Sequence, residues 1–211
     1  MQAEDILAYL DENPDFLASH APRYGLKPLQ ERVVSFADRQ MLDLKDRNRQ
    51  LEARLTQLIR HGEQNDQIVA RSHRLAVALL RGHTLAEVNH AIQHIFAEHF
   101  GLQRVALRLW HTAAENSELY NSRQDIRLLA GNLSAPYCGP YANDEIIGWF
   151  PATPVLQSFA QVALRDGTEP FGMLVIASDD PQRFTLEMQT HYLAQMGELM
   201  SQALLRVLGK A

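Results

Sequence analysis

The chain has 211 residues, 46% of them apolar and 21% charged, with 11 Gly and 9 Pro. That composition excludes fibrous, collagen-like and disordered chains and leaves room for one sizeable core, or for a small domain plus a long helix. Its 20 basic and 25 acidic residues give a formal charge of −5, which argues against a chain built to coat nucleic acid. The single cysteine, Cys138, can make neither an internal disulfide, a thiolate zinc cage nor a CxxC redox pair, so a reducing cytoplasm is the expected compartment. The opening MQAEDILAYLDENPDF reaches acidic residues too early for a secretory signal, and no stretch approaches the roughly 18 uninterrupted apolar residues of a membrane helix.

In chain order, residues 1–35 read as a small helical region. Ile6, Leu7 and Leu10 lie at helical spacing, Asn13 is placed to cap a second short helix with Pro14 in its first turn, and Phe16 and Leu17 offer an apolar contact. No proline occurs between Pro28 and Pro136, so residues 36–82 can form a long connecting helix. Met41, Leu44, Asn48, Leu51, Leu55 and Leu58 repeat on a heptad seam, which weakens through Gly62, Asn65, Val69, Ser72, Ala76 and Leu79. Asn48 on that seam would pair with its copy in a parallel homodimer and fix the register. Packing of the seam within its own chain is the alternative. Residues 23–60 hold nine basic against five acidic residues, interleaved as on a solvated helix face rather than gathered as a nucleic-acid patch.

Residues 83–211 read as a second region. Thr84 to Glu87 is a capping box, with Glu87 reaching back to the cap amide, and Leu85, Val88, Ile92, Ile95 and Phe96 make one apolar stripe before Gly101. Val105, Leu107 and Leu109 alternate as a strand, followed by an irregular middle. Residues 158–165 and 171–178 are strands joined by the hairpin loop from Asp166 to Pro170. Met173 to Ile176 is apolar on both faces, as a central strand is. Thr185 is expected to open a final helix reaching about Leu208. Leu186, Leu193, Gly197, Met200, Leu204 and Leu208 form its core stripe, with Met188, Tyr192, Leu199 and Ala203 beside it. The second stripe calls for a further partner, and Tyr192 and Leu199 join the seam as candidate dimer-interface residues.

The order of capped helix, strand, irregular middle, hairpin ending in Phe171-Gly-Met-Leu-Val-Ile-Ala-Ser-Asp-Asp180, and then Arg183-Phe184-Thr185 resembles a GAF domain, the small-molecule sensing fold related to PAS. Tyr9-Leu-Asp-Glu-Asn-Pro-Asp-Phe-Leu17 followed by Asp38-Arg39-Gln40 is similar to the opening of the bacterial family called domain of unknown function 484. The resemblance implies an α+β, GAF-like antiparallel sheet flanked by helices, preceded by an all-helical arm, in a cytoplasmic, dimeric, bacterial signalling protein without an established activity. Familiar GAF chemistries lack their residues here. There is no Asn-Lys-Phe-Asp-Glu run for a cyclic nucleotide, no His after Cys138 for a bilin, no second cysteine for sulfoxide reduction, and no His between His111 and His191 to ligate haem.

In GAF-like proteins the stretch corresponding to 133–157 closes over the ligand. Here Tyr137, Cys138, Tyr141, Trp149 and Phe150 are candidates for the pocket wall, with Trp110, Ser158 and Ala160 as its floor; core packing is the alternative for each. Nothing near Cys138 in sequence marks a reactive thiol. His90 and His94 have metal-sharing spacing, but their stripe, with Glu87 and Glu98, lies opposite Val88, Ile92 and Ile95 and is expected to face water. No nucleophile elbow, phosphate loop or paired carboxylates suggests an enzyme. The expectation is a dimeric, non-enzymatic regulatory or sensor module with an unidentified small molecule, no metal and no assignable cofactor. The alternative is a protein-interaction scaffold whose pocket is filled by its own side chains, with a partner docking on the N-terminal helices.

Overall fold

The computed structural model describes residues 3–26 and 36–209; residues 27–35, the end of the expected N-terminal region, lie outside the described residues. The chain divides into two compact units, Met1–Ile59 and Arg60–Ala211. In the first, α1 (Ala3–Glu12), α2 (Asp15–Ser19) and a 3-10 turn (Ala21–Tyr24) bury no side chain in α1 or α2. Tyr9 meets Phe16 edge to face at 5.5 Å, and Phe16 stacks on His20 at 4.5 Å. Asn13 does not cap α2. Its amide donates to the Tyr9 carbonyl at 2.9 Å and closes the end of α1, while Pro14 takes the cap position with no side-chain bond. The side-chain N–H answers the unmet carbonyls that end a helix as readily as the oxygen answers amides that begin one.

Helix α3 (Phe36–Arg81) runs for 46 residues and crosses from the first unit into the second. Its first half follows the heptad pattern, with Met41, Leu44, Leu51, Leu55 and Leu58 56 to 66% exposed within the single chain. Asn48 donates to Glu52 at 3.3 Å. Among the described side chains of α3, the buried ones are Leu75 and Leu79 in the last turns, with Ile68 and Ala78 packed beside them.

The second unit is a four-stranded antiparallel sheet in the order β1-β4-β3-β2, with β1 Arg104–Leu109, β2 Tyr137–Gly139, β3 Ser158–Asp166 and β4 Glu169–Ser178. β4 is central and buried from Phe171 to Ser178, as its continuous apolar run requires. The β3–β4 turn is tighter than the five-residue loop expected. Asp166 and Glu169 already pair, and Gly167 (φ +61°) with Thr168 makes the reversal, a left-handed conformation that glycine adopts without a Cβ clash.

One face of the sheet carries α4 (Leu85–Phe100) and α7 (His191–Val207). Thr84 accepts from the Glu87 amide at 3.2 Å, whereas the Glu87 carboxylate reaches one residue further back than expected, to the His83 amide at 2.8 Å. Val88, Ile92, Ile95 and Phe96 of α4 and Leu193, Met196, Met200 and Leu204 of α7 pack on Leu107, Val162, Leu164, Leu174 and Ile176, together with Leu75 and Leu79. The last helix starts at His191, not Thr185. One hydrogen-bonded turn, from the Met188 amide to the Thr185 carbonyl, forms and stops. Leu186, at 71%, and Met188 are exposed there, so no apolar burial compensates the cost of holding another helical turn.

The opposite face is covered by α5 (Gln124–Asn132) and the one-turn α6 (Asp144–Ile147). The stretch read as irregular thus holds a helix, a strand and a turn of helix. Asn143 caps α6 by accepting from the Ile146 amide at 2.9 Å. Ile126, Ala130 and Ile146 lie on Phe159, Met173, Val175 and Ala177, with Trp110, Trp149, Phe150 and Leu156 at the margins. Among the described residues no helix is long and apolar enough to cross a membrane.

Candidate functional site

Alternation along β3 decides which side chains lie beneath the α5–α6 cap. Phe159 and Ala163 belong to the cap layer, so Ser158, Ala160 and Val162 point the other way. The floor expected from sequence is corrected accordingly. Ala160 and its partner across the strands, Cys138, belong to the α4–α7 layer, and Ser158 is fully buried with its hydroxyl donating to the Asp180 carbonyl at 2.7 Å. A one-residue difference in a period-2 pattern exchanges the two faces. Cys138 is also chemically quiet, since burial pushes its thiol up to about 11 and suppresses the thiolate that would react.

Trp110, Trp149 and Phe150 do lie at the margin of the cap layer. Trp110 donates its indole N–H to the Pro170 carbonyl at 2.6 Å. Trp149 donates to Glu145 at 3.5 Å, and the Arg108 guanidinium stands 5.4 Å from its ring. Burial lowers the pKa of Arg108, and the nearby Glu145 carboxylate acts in the opposite direction. Glu145 also receives Asn121 at 3.4 Å and Arg123 at 3.7 Å, and Arg123 binds Asp125 at 3.1 Å. This exposed Arg123 pair holds the Asp125 carboxyl below its usual range, chiefly through the hydrogen bond. Directly over the sheet, the space is occupied by Ile126, Ile146, Phe159, Met173 and Val175, each buried.

An open groove of about 470 Å³ lies beside this packed layer, lined by Leu129, Leu133, Tyr137, Tyr141, Asn143 and Gln161. Tyr137 accepts the Tyr141 amide at 3.2 Å, and the side chain of Gln161, only 4% exposed, donates to the Tyr141 carbonyl at 3.1 Å. Tyr141 itself is 75% exposed. Of the residues expected to wall a pocket, Tyr137 and Tyr141 meet in this groove, while Trp149 and Phe150 lie with the packed layer. Gln161 and Asn143 were missed. A polar residue within an otherwise apolar buried strand, and an Asn ahead of Asp-Glu-Ile-Ile, were the available signals. His90 and His94 are exposed, with parallel rings 6.1 Å apart. Among the described residues no group of three His, Cys, Asp or Glu stands close enough to hold a metal.

A four-stranded antiparallel sheet with paired helices on one face and a short helical cap on the other is the GAF-like class of fold. It is similar to the GAF domain of an Acinetobacter phosphoenolpyruvate-protein phosphotransferase, at 15% identity and a TM-score of 0.50, over 64% of this chain and 91% of that one. It is also similar to the GAF domain of a phosphoenolpyruvate-protein phosphotransferase from Coxiella burnetii, at 11% identity and a TM-score of 0.51, over 69% of this chain and 98% of that one. At such identities the likeness is one of fold. Residues 1–208 match the family described as protein of unknown function, DUF484, and the chain belongs to that family. No curated protein sequence matches the chain.

Proposed function

We propose that the protein is a dimeric regulatory module without catalytic activity of its own, working in a reducing cytoplasm, whose copies pair in parallel along the α3 seam and whose GAF-like unit reads a small molecule. The observation that carries this reading is the uncovered heptad face from Met41 to Leu58 on a helix whose last turns, at Leu75 and Leu79, are core of the GAF-like unit. An apolar stripe of that spacing is self-complementary when two copies align in register. Leu199 and the half-buried Tyr192 extend the exposed apolar surface on α7.

The small molecule sits in the groove of Tyr137, Tyr141 and Gln161 rather than beneath the cap, where side chains fill the space. The apolar walls and the one buried amide suit a small, mostly apolar molecule with a hydrogen-bonding group. Native against denaturing mass spectrometry of purified protein tests this. A molecule released only on denaturation, and absent from Tyr141→Ala, is the expected result; no retained molecule, or one retained equally by the variant, contradicts it. A second reading, a scaffold with a self-filled pocket, is favoured by the packing of Ile126, Ile146 and Phe159. In that reading the exposed Ile6, Leu7, Tyr9 and Leu17 receive a protein partner.

A further inference from the structure

We propose that Arg165, Ser201 and Arg206 form a relay that ties the position of the cap to the end of the long helix α3, so that releasing the cap loosens the α3–α4 junction. The inference rests on the regulatory reading for its purpose, but the connection exists within the second unit and can be measured without a ligand or a dimer.

The relay begins where the sheet stops. β2 pairs with β3 only from Tyr137↔Gln161 to Gly139↔Phe159. Continuing that register would set Pro136 opposite Val162, where proline has no N–H to offer the ladder. The chain splays away instead, and a cleft of about 330 Å³ separates residues 133–136 from the end of β3 and from α7. Arg165 bridges the splay. One of its guanidinium nitrogens donates to the carbonyls of Ala130 at 2.9 Å, Gly131 at 3.3 Å and Leu133 at 2.8 Å, and another donates to Thr168. A charged fork thus holds the C-terminal carbonyls of α5 in place of strand pairing.

The same residue grips α7 through its backbone. The Arg165 amide donates to the Ser201 hydroxyl at 3.1 Å, and that hydroxyl donates in turn to the Gly197 carbonyl at 2.8 Å. Gly197 lets the helix come this close, because a Cβ there would lie 2.6 Å from a Val162 methyl. Five residues on, Arg206 donates to the carbonyls of Leu79 at 2.9 Å and Gly82 at 2.6 Å, closing the C-terminus of α3. One helix therefore carries both joints: a single hydrogen bond from the Arg165 amide to Ser201, and two from Arg206 to the carbonyls of Leu79 and Gly82, set among the apolar contacts of the core. The structure holds the fork closed on α5; coupling requires a second state, in which the fork would be released.

Hydrogen exchange of the full chain tests the relay. Arg165→Gln is expected to speed exchange at 133–137 and also at 82–88, by about tenfold, the equivalent of one lost bond from a charged donor. Core amides of β4 should stay unchanged. In the Ser201→Ala background the same substitution should no longer affect 82–88. Acceleration confined to 133–137, persistence of the effect at 82–88 without Ser201, or equal acceleration throughout β4 would each overturn the proposal, the last by making Arg165 a residue of general stability. If Arg165→Gln fails to fold, Arg165→Lys is read in the same way; it keeps the charge but loses the fork.

Discussion

Replacing Leu51 and Leu55 together by Lys is expected to convert the protein from a dimer of twice 23.9 kDa to a monomer in analytical ultracentrifugation. Both side chains are more than half exposed in the single chain, so in the proposed dimer their stabilising contact would be the one between copies. Four leucines leave the interface per dimer, each contributing about 1.5–3 kcal/mol when fully buried, whereas about 1.4 kcal/mol already changes a dissociation constant tenfold. The four lysines that replace them would be desolvated beside like charges. Lys has nearly the helix propensity of Leu, so helicity should be kept. The unfolding free energy of the GAF-like unit in urea should change by no more than a surface substitution produces, within about 0.5 kcal/mol. A variant that remains a dimer places the interface elsewhere.

Ile146→Ala separates a packed cap from a lid awaiting a ligand. Ile146 is completely buried on the one-turn α6, against the layer of Phe159, Met173 and Val175. Truncating such a side chain removes its transfer free energy and leaves a cavity, a loss of about 2–5 kcal/mol in chemical denaturation of ligand-free protein. A lid that packs only around a bound molecule would lose less than about 1 kcal/mol in the absence of that molecule. The larger loss would locate ligand recognition in the Tyr137–Gln161 groove, or favour the scaffold reading; the smaller would return it to the space beneath the cap.

The long helix, the capped α4 and the central β4 were legible because each carries a signal that survives without tertiary context. These are a proline-free heptad run, a Thr with Glu three residues later, and an apolar run bounded by turn residues. α5 was not legible. Its nine residues, QDIRLLAGN, include a glycine and are too few for intrinsic helicity, so the burial of Ile126 and Ala130 supplies what propensity does not. The site was half legible for a related reason. Every residue from Ser158 to Val162 is buried, and a strand covered on both faces shows no polar side by which to tell the floor of the cap from the bed of the helices. Thr185 misled in the other direction, as a sound cap residue followed by a turn with nothing to bury it. Arg165 and Arg206 gave no sequence signal, because their partners are backbone carbonyls distant along the chain.

Parallel, in-register pairing along α3 is tested most directly by disulfide trapping. In a Cys138→Ser background, Leu44→Cys and Leu58→Cys, examined separately, should each give a covalent dimer on mild oxidation. Equivalent seam positions of a parallel pair face one another and can meet the Cα separation of about 4.4–6.8 Å that a disulfide needs. An antiparallel pair can bring at most one of these two positions opposite its own copy, so trapping at only one, or at neither, would contradict the account.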